Sequence, residues 1–291
     1  MNHGKGIRTL VYIIAVLTVV ITSIGIFYQN EGVPYEFINM YGQTVKMFGN
    51  GMYAFDSYFR APIFKGSDAA MLFVGVPGIL LAEQGVRRKH TKKSLTLLVG
   101  MMGIFAYYSA SIAFGVTYNT LHLAYVLLFS ASLFGLIFTF IGINPTSIDT
   151  SAIDRLPLKG IRVFLFITGI ALFVAWLPDI LLSLVNREPL ALIEVYTTEI
   201  TYVLDMGIIS PSAFLCLALL KKKSGLSIPL LSMILLLCAI MGVMLPLQTV
   251  FQLFYGIVIP IPVLVTKVGI FVVLACFAVH YELKLLQAIR D

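Results

Sequence analysis

The sequence predicts an all-α polytopic transmembrane helical bundle of about eight spans, forming a single domain over 1–291 with both termini cytoplasmic. Three observations predict it. Apolar residues make up 59% of the 291 positions and charged residues 12%, against about 25% charged in an average soluble domain. A soluble core could not hide that much apolar surface, whereas a bilayer solvates it. The apolar residues gather in eight windows close to the ~20 residues that a spanning helix needs, and the positive charges sit in short clusters between them.

The first window, 9–28, is longer than the roughly 7–15 residues of a signal-peptide core and no A-x-A site follows it, so it reads as an uncleaved helix. The connection 29–68 is the one long exterior segment. It mixes Tyr35, Phe37, Tyr41, Phe48, Tyr53, Phe55, Tyr58, Phe59 and Phe64 with glycines and scattered charges, which predicts short helices lying at the interface, aromatic side down. The second window, 69–86, is the shortest and holds Gly75, Pro77 and Gly78; neighbouring helices can satisfy a backbone freed by such residues. The windows 95–116 and 121–143 are joined by a tight turn. The remaining spans are 163–185, 197–220, 227–250 and 262–283, and no separate soluble domain is evident.

Charge tests that count. With the N-terminus inside, cytoplasmic segments carry Lys5, Arg8, Arg87, Arg88, Lys89, Lys92, Lys93, Arg155, Lys159, Arg162, Lys221, Lys222, Lys223, Lys284 and Arg290. The exterior receives Lys46, Arg60, Lys65 and Arg187, and Lys267 is left inside a span. This asymmetry, alternating loop by loop, is the positive-inside pattern of a cell-membrane protein. The net charge of +6 is thus accounted for by topology, and no solvated basic face implies nucleic acid. Cys216, Cys238 and Cys276 lie in apolar runs, with neither metal spacing nor a disulfide framework.

Ionisable groups inside a bilayer are costly and turn toward the bundle interior. Asp205 lies ~12 Å into its helix at 1.5 Å per residue. Thr201, Thr198 and Glu194 share its face by helical spacing, and Pro211 beyond it should bend the helix. At the same depth, Tyr108, Ser111, Gly115 and Tyr118 form one face of the third helix. Asn119, Thr120 and His122 follow, Trp176 and Asp179 end the fifth span, Gln248, Gln252 and Tyr255 share a face of the seventh, and Lys267 enters the eighth. The predicted ligand-binding pocket of the outer half is therefore Asp205, Lys267, Thr198, Thr201, Tyr108, Tyr118, Asn119, Asp179 and Gln248, over inner halves poor in polar groups. Several of these residues have a structural alternative. Asp205 can pair with Lys267 or accept from tyrosines to fix packing, Lys267 can snorkel, and Asp179, Glu194 and Trp176 can be interfacial.

No P-loop, H-E-x-x-H, G-x-S-x-G or C-x-x-C-H motif is present. No metal is expected, since His122 has no second histidine at ligand spacing, and no cofactor is identified. Tyr118-Asn119-Thr120-Leu121-His122-Leu123-Ala124-Tyr125, together with Trp176-Leu177-Pro178-Asp179, Val203-Leu204-Asp205-Met206-Gly207 and Pro211, resembles a group of prokaryotic polytopic membrane proteins without an assigned activity. The likeness covers roughly the third through seventh helices and implies that Tyr118, Asn119 and Asp205 are signature positions.

Three functions fit these residues. The first is a non-catalytic component or sensor that binds a protein partner through segment 33–64. The second is a transporter whose Asp205 takes a cation or proton while Lys267 or tyrosines orient a small solute. The third is an intramembrane enzyme acting on a lipid or lipid-linked substrate from the outer leaflet, with Asp205, Glu199 or Asp56 as acid or base and His122 or Lys267 assisting. They differ in whether the polar region is open to the cytoplasm, blind, or filled by side chains.

Overall fold

A computed structural model describes residues 3–89, 91–143 and 150–290; the side chains of His3, Lys89, Val263, Thr266 and Lys267 lie outside the described residues. Eight helices among them are long and apolar enough to cross a membrane: span 1 (Gly4–Phe27), span 2 (Ala61–Arg88), span 3 (Lys92–Gly115), span 4 (His122–Gly142), span 5 (Leu158–Asn186), span 6 (Ile200–Lys221), span 7 (Ser227–Phe254) and span 8 (Ile270–Ala288). The protein is a multi-pass membrane protein with an almost wholly helical fold. Span 7 is its pillar, packing against spans 2, 3, 6 and 8. On one side of it, Val11, Ile79, Met102, Phe105 and Leu128 belong to a core of spans 1–4. On the other, Ile161, Leu165, Ala213, Leu231 and Ala278 belong to a core of spans 5–8.

Among the described residues, two spans are interrupted by an irregular turn and a third is preceded by one. In span 2 the N–H of Val76 reaches the carbonyl of Met71, five residues back, immediately before Pro77. In span 6 the N–H of Ser210 reaches Asp205 in the same way immediately before Pro211. A wider turn there accommodates the ring and the missing donor of each proline, so the bend expected at Pro211 takes the form of a π-turn starting at Asp205. A third such turn, Leu264–Gly269, leads into span 8.

The segment 29–68 departs from expectation. Instead of interfacial helices it contains an antiparallel hairpin, β1 (Tyr35–Ile38) and β2 (Thr44–Met47), with Tyr35 opposite Met47 and Glu36 opposite Lys46. Alternating burial along Thr44–Met47 is the signature of a half-covered strand. The turn between the strands is held by Asn39, whose side-chain oxygen accepts from the N–H groups of Tyr41 and Gln43, and by Gly42 at φ +76°. A short 3₁₀ turn, Gly51–Tyr53, follows, and span 2 already begins at Ala61, with Pro62 in its first turn. The second window is thus one of the longer spans, because Lys65 and Asp68, which look like exterior charges, are buried within it. Span 6 starts at Ile200 and not at 197, so Glu194 and Thr198 precede the helix.

Side-chain contacts fix the two ends of the bundle. At the cap end the hairpin meets the connection after span 5 through Asn39 Nδ2 and the Glu194 carbonyl, at 2.8 Å, and the end of span 7 through Tyr58 Oη and the Tyr255 carbonyl, at 2.9 Å. At the basic end Arg8 pairs with Glu83 at 3.1 Å, Lys223 pairs with Asp154, and Arg155 binds the Ala288 carbonyl. Span 1 therefore begins, and span 8 finishes, at the same end.

Candidate functional site

Three polar clusters lie beneath the cap, each built where several chain segments cross. The deepest is centred on Asp68 of span 2, which is fully buried. Its two oxygens accept from Tyr53 Oη and Tyr108 Oη, both at 2.6 Å. One turn earlier on the same face, Lys65 is 1% exposed and donates to the carbonyls of Gly25 and Ile26 at 2.9 and 3.1 Å. Those carbonyls belong to the last turn of span 1, where helices lack internal donors and favour a cation. Gly25 makes room for this arrangement: a Cβ there would collide with the Asp68 carboxylate.

The second cluster joins the cap to the loops. Asp56, fully buried, accepts on Oδ1 from the Thr117 N–H at 2.9 Å and from Tyr196 Oη at 3.0 Å, while its Oδ2 has no partner among the described residues. Burial pushes its carboxyl up to about 7, against the opposing pull of Thr117, Tyr196 and Arg60. Arg60 pairs with Glu199 and approaches Glu194 at 3.9 Å, and its guanidinium lies over the Tyr196 ring at 4.6 Å. Ser57 donates to Glu194, whose carboxyl burial also raises. Glu194 sits at φ +49°, a conformation unusual for a residue with a side chain.

Asp205 anchors the third cluster. Tyr107 Oη donates to its Oδ1 and Trp176 Nε1 to its Oδ2, each at 2.8 Å. The Trp176 ring stacks on Tyr202 with centroids 4.7 Å apart, and Tyr202 Oη donates to Asp179 at 2.8 Å. Asp205 thus draws spans 3, 5 and 6 together.

The predicted pocket is partly recovered and partly dispersed. Asp205 and Asp179 share a cluster with Trp176, but Tyr107 reaches Asp205 and Tyr108 turns to Asp68. Thr201 is half-buried and makes no side-chain hydrogen bond among the described residues, and Thr198 is exposed ahead of the helix. Asn119 donates to Tyr125 Oη at 3.2 Å and accepts from the Leu121 N–H. Tyr118 is 78% exposed beyond the end of span 3, its ring 5.3 Å from His122. Gln248 donates to Ser67 at 2.8 Å and Gln252 to the Phe59 carbonyl at 3.2 Å. The side chain of Lys267 lies outside the described residues.

Sequence reasoning missed Lys65, Asp68, Tyr53 and Tyr107 as site residues. Pro62 before a Lys65/Asp68 pair at i, i+3 was the available signal, since proline favours the first turn of a helix. The expectation of inner halves poor in polar groups also fails at Glu282, which is buried near the basic end and bonded to Ser232.

Chemically, the Asp68 and Asp205 clusters are closed. Both oxygens of Asp68 and of Asp205 already accept hydrogen bonds from the fold. Among the described residues, no three His, Cys, Asp or Glu side chains are placed to hold a metal ion. An open polar recess of about 480 Å³ lies on the cap, walled by Gln43, Thr44, Lys46, Tyr58, Leu192 and Glu194. Comparison with protein-family models, with curated proteins and with solved structures finds no match. The likeness to a group of prokaryotic polytopic proteins accordingly rests on its motifs alone.

Proposed function

We propose that the protein is a non-catalytic component of a membrane assembly, which recognises a partner protein through its cap. The observation that carries this reading is β1. The other strand of the hairpin is covered on its far edge, where the Met47–Ser57 bridge and the bond from the Tyr58 N–H to the Lys46 carbonyl close it. No strand lies on the free edge of β1 among the described residues, and all four of its residues are exposed, Phe37 by 49% and Ile38 by 67%. Folded proteins usually guard such an edge with charge, proline or a covering element; β1 carries Glu36 and follows Pro34, but no covering strand lies on it among the described residues. An open aromatic edge offers main-chain hydrogen bonds and alternating side-chain pockets to an incoming extended segment.

The count of basic residues supports placing this cap outside the cell and the basic end in the cytoplasm. Transport through Asp205, or acid–base chemistry there on a lipid-linked substrate, would need a carboxylate open to a ligand, and both of its oxygens are held. The cap recess supports a second role as the contact for a small polar solute, with Lys46 on its wall as the group to meet an anion.

A photoactivatable amino acid in place of Phe37 or Ile38, illuminated in native membranes, tests the reading. The expected result is one discrete protein adduct that is absent when the same group replaces Phe254, which is 80% exposed at the end of span 7. Adducts with lipid alone, or the same adducts from all three positions, would overturn it.

A further inference from the structure

The carboxylates inside the bundle fall into two kinds. Asp68 and Asp205 each accept two side-chain hydrogen bonds, with Lys65 one turn from the former, and Glu83 is paired with Arg8. Those contacts suit a negative charge. Glu282 differs. It is 4% exposed, accepts a single hydrogen bond at Oε1 from Ser232 Oγ at 2.7 Å, and leaves Oε2 buried without a partner among the described residues.

Among the described residues, no cation compensates it. Span 7, the helix it faces, contains no Asp, Glu, Lys, Arg or His along its whole length. On the short helix Ser151–Asp154 and the residue after it, Asp154 pairs with Lys223 and Arg155 binds the Ala288 carbonyl at 2.9 and 2.7 Å. Lys159 and Arg162 of span 5, and His280 and Lys284 of span 8 itself, are exposed. A lone buried carboxylate is among the most costly groups a fold can contain, and the usual remedy is to take up a proton.

We propose that Glu282 is an intramembrane proton-binding site. The proton sits on Oε2, and Oε1 is the carbonyl oxygen that accepts from Ser232. An alkali cation would need several converging oxygens, and Glu282 and Ser232 supply few. Glu282 lies six residues before the end of span 8, ~9 Å along the axis. Buried Leu285, Ile289, Ile153 and Leu156 fill the space toward the basic end. Release of the proton therefore requires that this apolar cover admit water, which couples the site to movement of the segment that Arg155 clamps to span 8. This inference stands apart from the partner-binding reading and survives its failure.

Infrared spectroscopy of the full-length protein in lipid nanodiscs, titrated across pH, tests it. Beside any contribution from Asp56, which Asp56→Asn removes, the wild type should show a protonated-carboxyl C=O band at neutral pH. That band should be lost in Glu282→Gln, kept in Asp205→Asn, and shifted to higher frequency in Ser232→Ala, which removes the one hydrogen bond to the carbonyl oxygen. Ser232→Ala gives the answer even if Glu282→Gln does not fold. The absence of any such band in the wild type, or one that Ser232→Ala leaves unmoved, would overturn the assignment. So would a band that sodium abolishes at constant pH, since that would make the site a cation site.

Discussion

Replacing Asp56 by asparagine should stabilise the docked cap at neutral and alkaline pH, an unusual direction for a substitution at a fully buried polar residue. In the folded protein its carboxyl titrates near 7, against an ordinary value of 3.8. A folded value above the unfolded one means that the docked state binds the proton more tightly. Below about pH 4 the group is neutral in both states and contributes no difference. As pH rises from about 4 to about 7 the undocked carboxyl ionises first, so docking weakens, and above 7 the penalty is constant. A shift of about three units corresponds to at most ~4 kcal/mol. Asparagine keeps an oxygen for Thr117 N–H and Tyr196 Oη, and its amide can donate toward Thr117 Oγ1, itself buried without a partner. Thermal melting of the purified full-length protein from pH 4 to pH 8.5 reads this out. The wild type should lose stability over that window and the variant should lose less, since Glu194 and Glu282 remain, crossing above the wild type as neutrality is approached. Parallel curves, or a variant less stable than the wild type at pH 8, would refute the reasoning.

Other substitutions test the remaining contacts. Arg60→Ala leaves Glu199 buried and Glu194 without its guanidinium, and should cost about 3–5 kcal/mol, seen as cleavage of the cap by protease at temperatures where the wild type resists. Arg60→Lys should recover only part of that, because a lysine cannot span both carboxylates while lying flat on Tyr196. Tyr107→Phe removes one of the two donors to Asp205 and should lower stability by about 2 kcal/mol, measured by the melting temperature. Gly25→Ala should abolish recovery of monodisperse protein, since the added methyl displaces the Asp68 carboxylate; Gly6→Ala, which meets open space, should be neutral.

Spans were legible because their signal is one-dimensional: apolar length and the placement of positive charge need no knowledge of neighbours. Where the reading failed, a distant partner had changed the meaning of a residue. Lys65 and Asp68 argue against a helix inside the membrane until Gly25, Ile26, Tyr53 and Tyr108 are placed around them. Asp205 was singled out as an intramembrane acid, yet its tyrosine partner is Tyr107 and not Tyr108, a difference of ~100° around span 3 that spacing alone cannot orient. The stripe from Asp205 back to Glu194 assumed a helix that begins only at Ile200. In the cap, the run of aromatic residues suggested interfacial helices. The Thr44–Met47 alternation and the Asn39–Gly42 turn, both local, carried the better signal for a hairpin.

The central claim is that the polar groups beneath the cap hold the fold together and the partner binds outside them. Thermal stability of the purified wild-type and Asp205→Asn proteins, across pH and against a panel of cations and lipids, tests it most directly. If the claim holds, the variant is less stable by about 2 kcal/mol under every condition, as expected for weakening a charge-assisted hydrogen bond, and no ligand shifts either protein. If instead the variant keeps the wild-type stability and loses a ligand- or pH-dependent shift that the wild type shows, Asp205 belongs to a binding site and the claim is wrong.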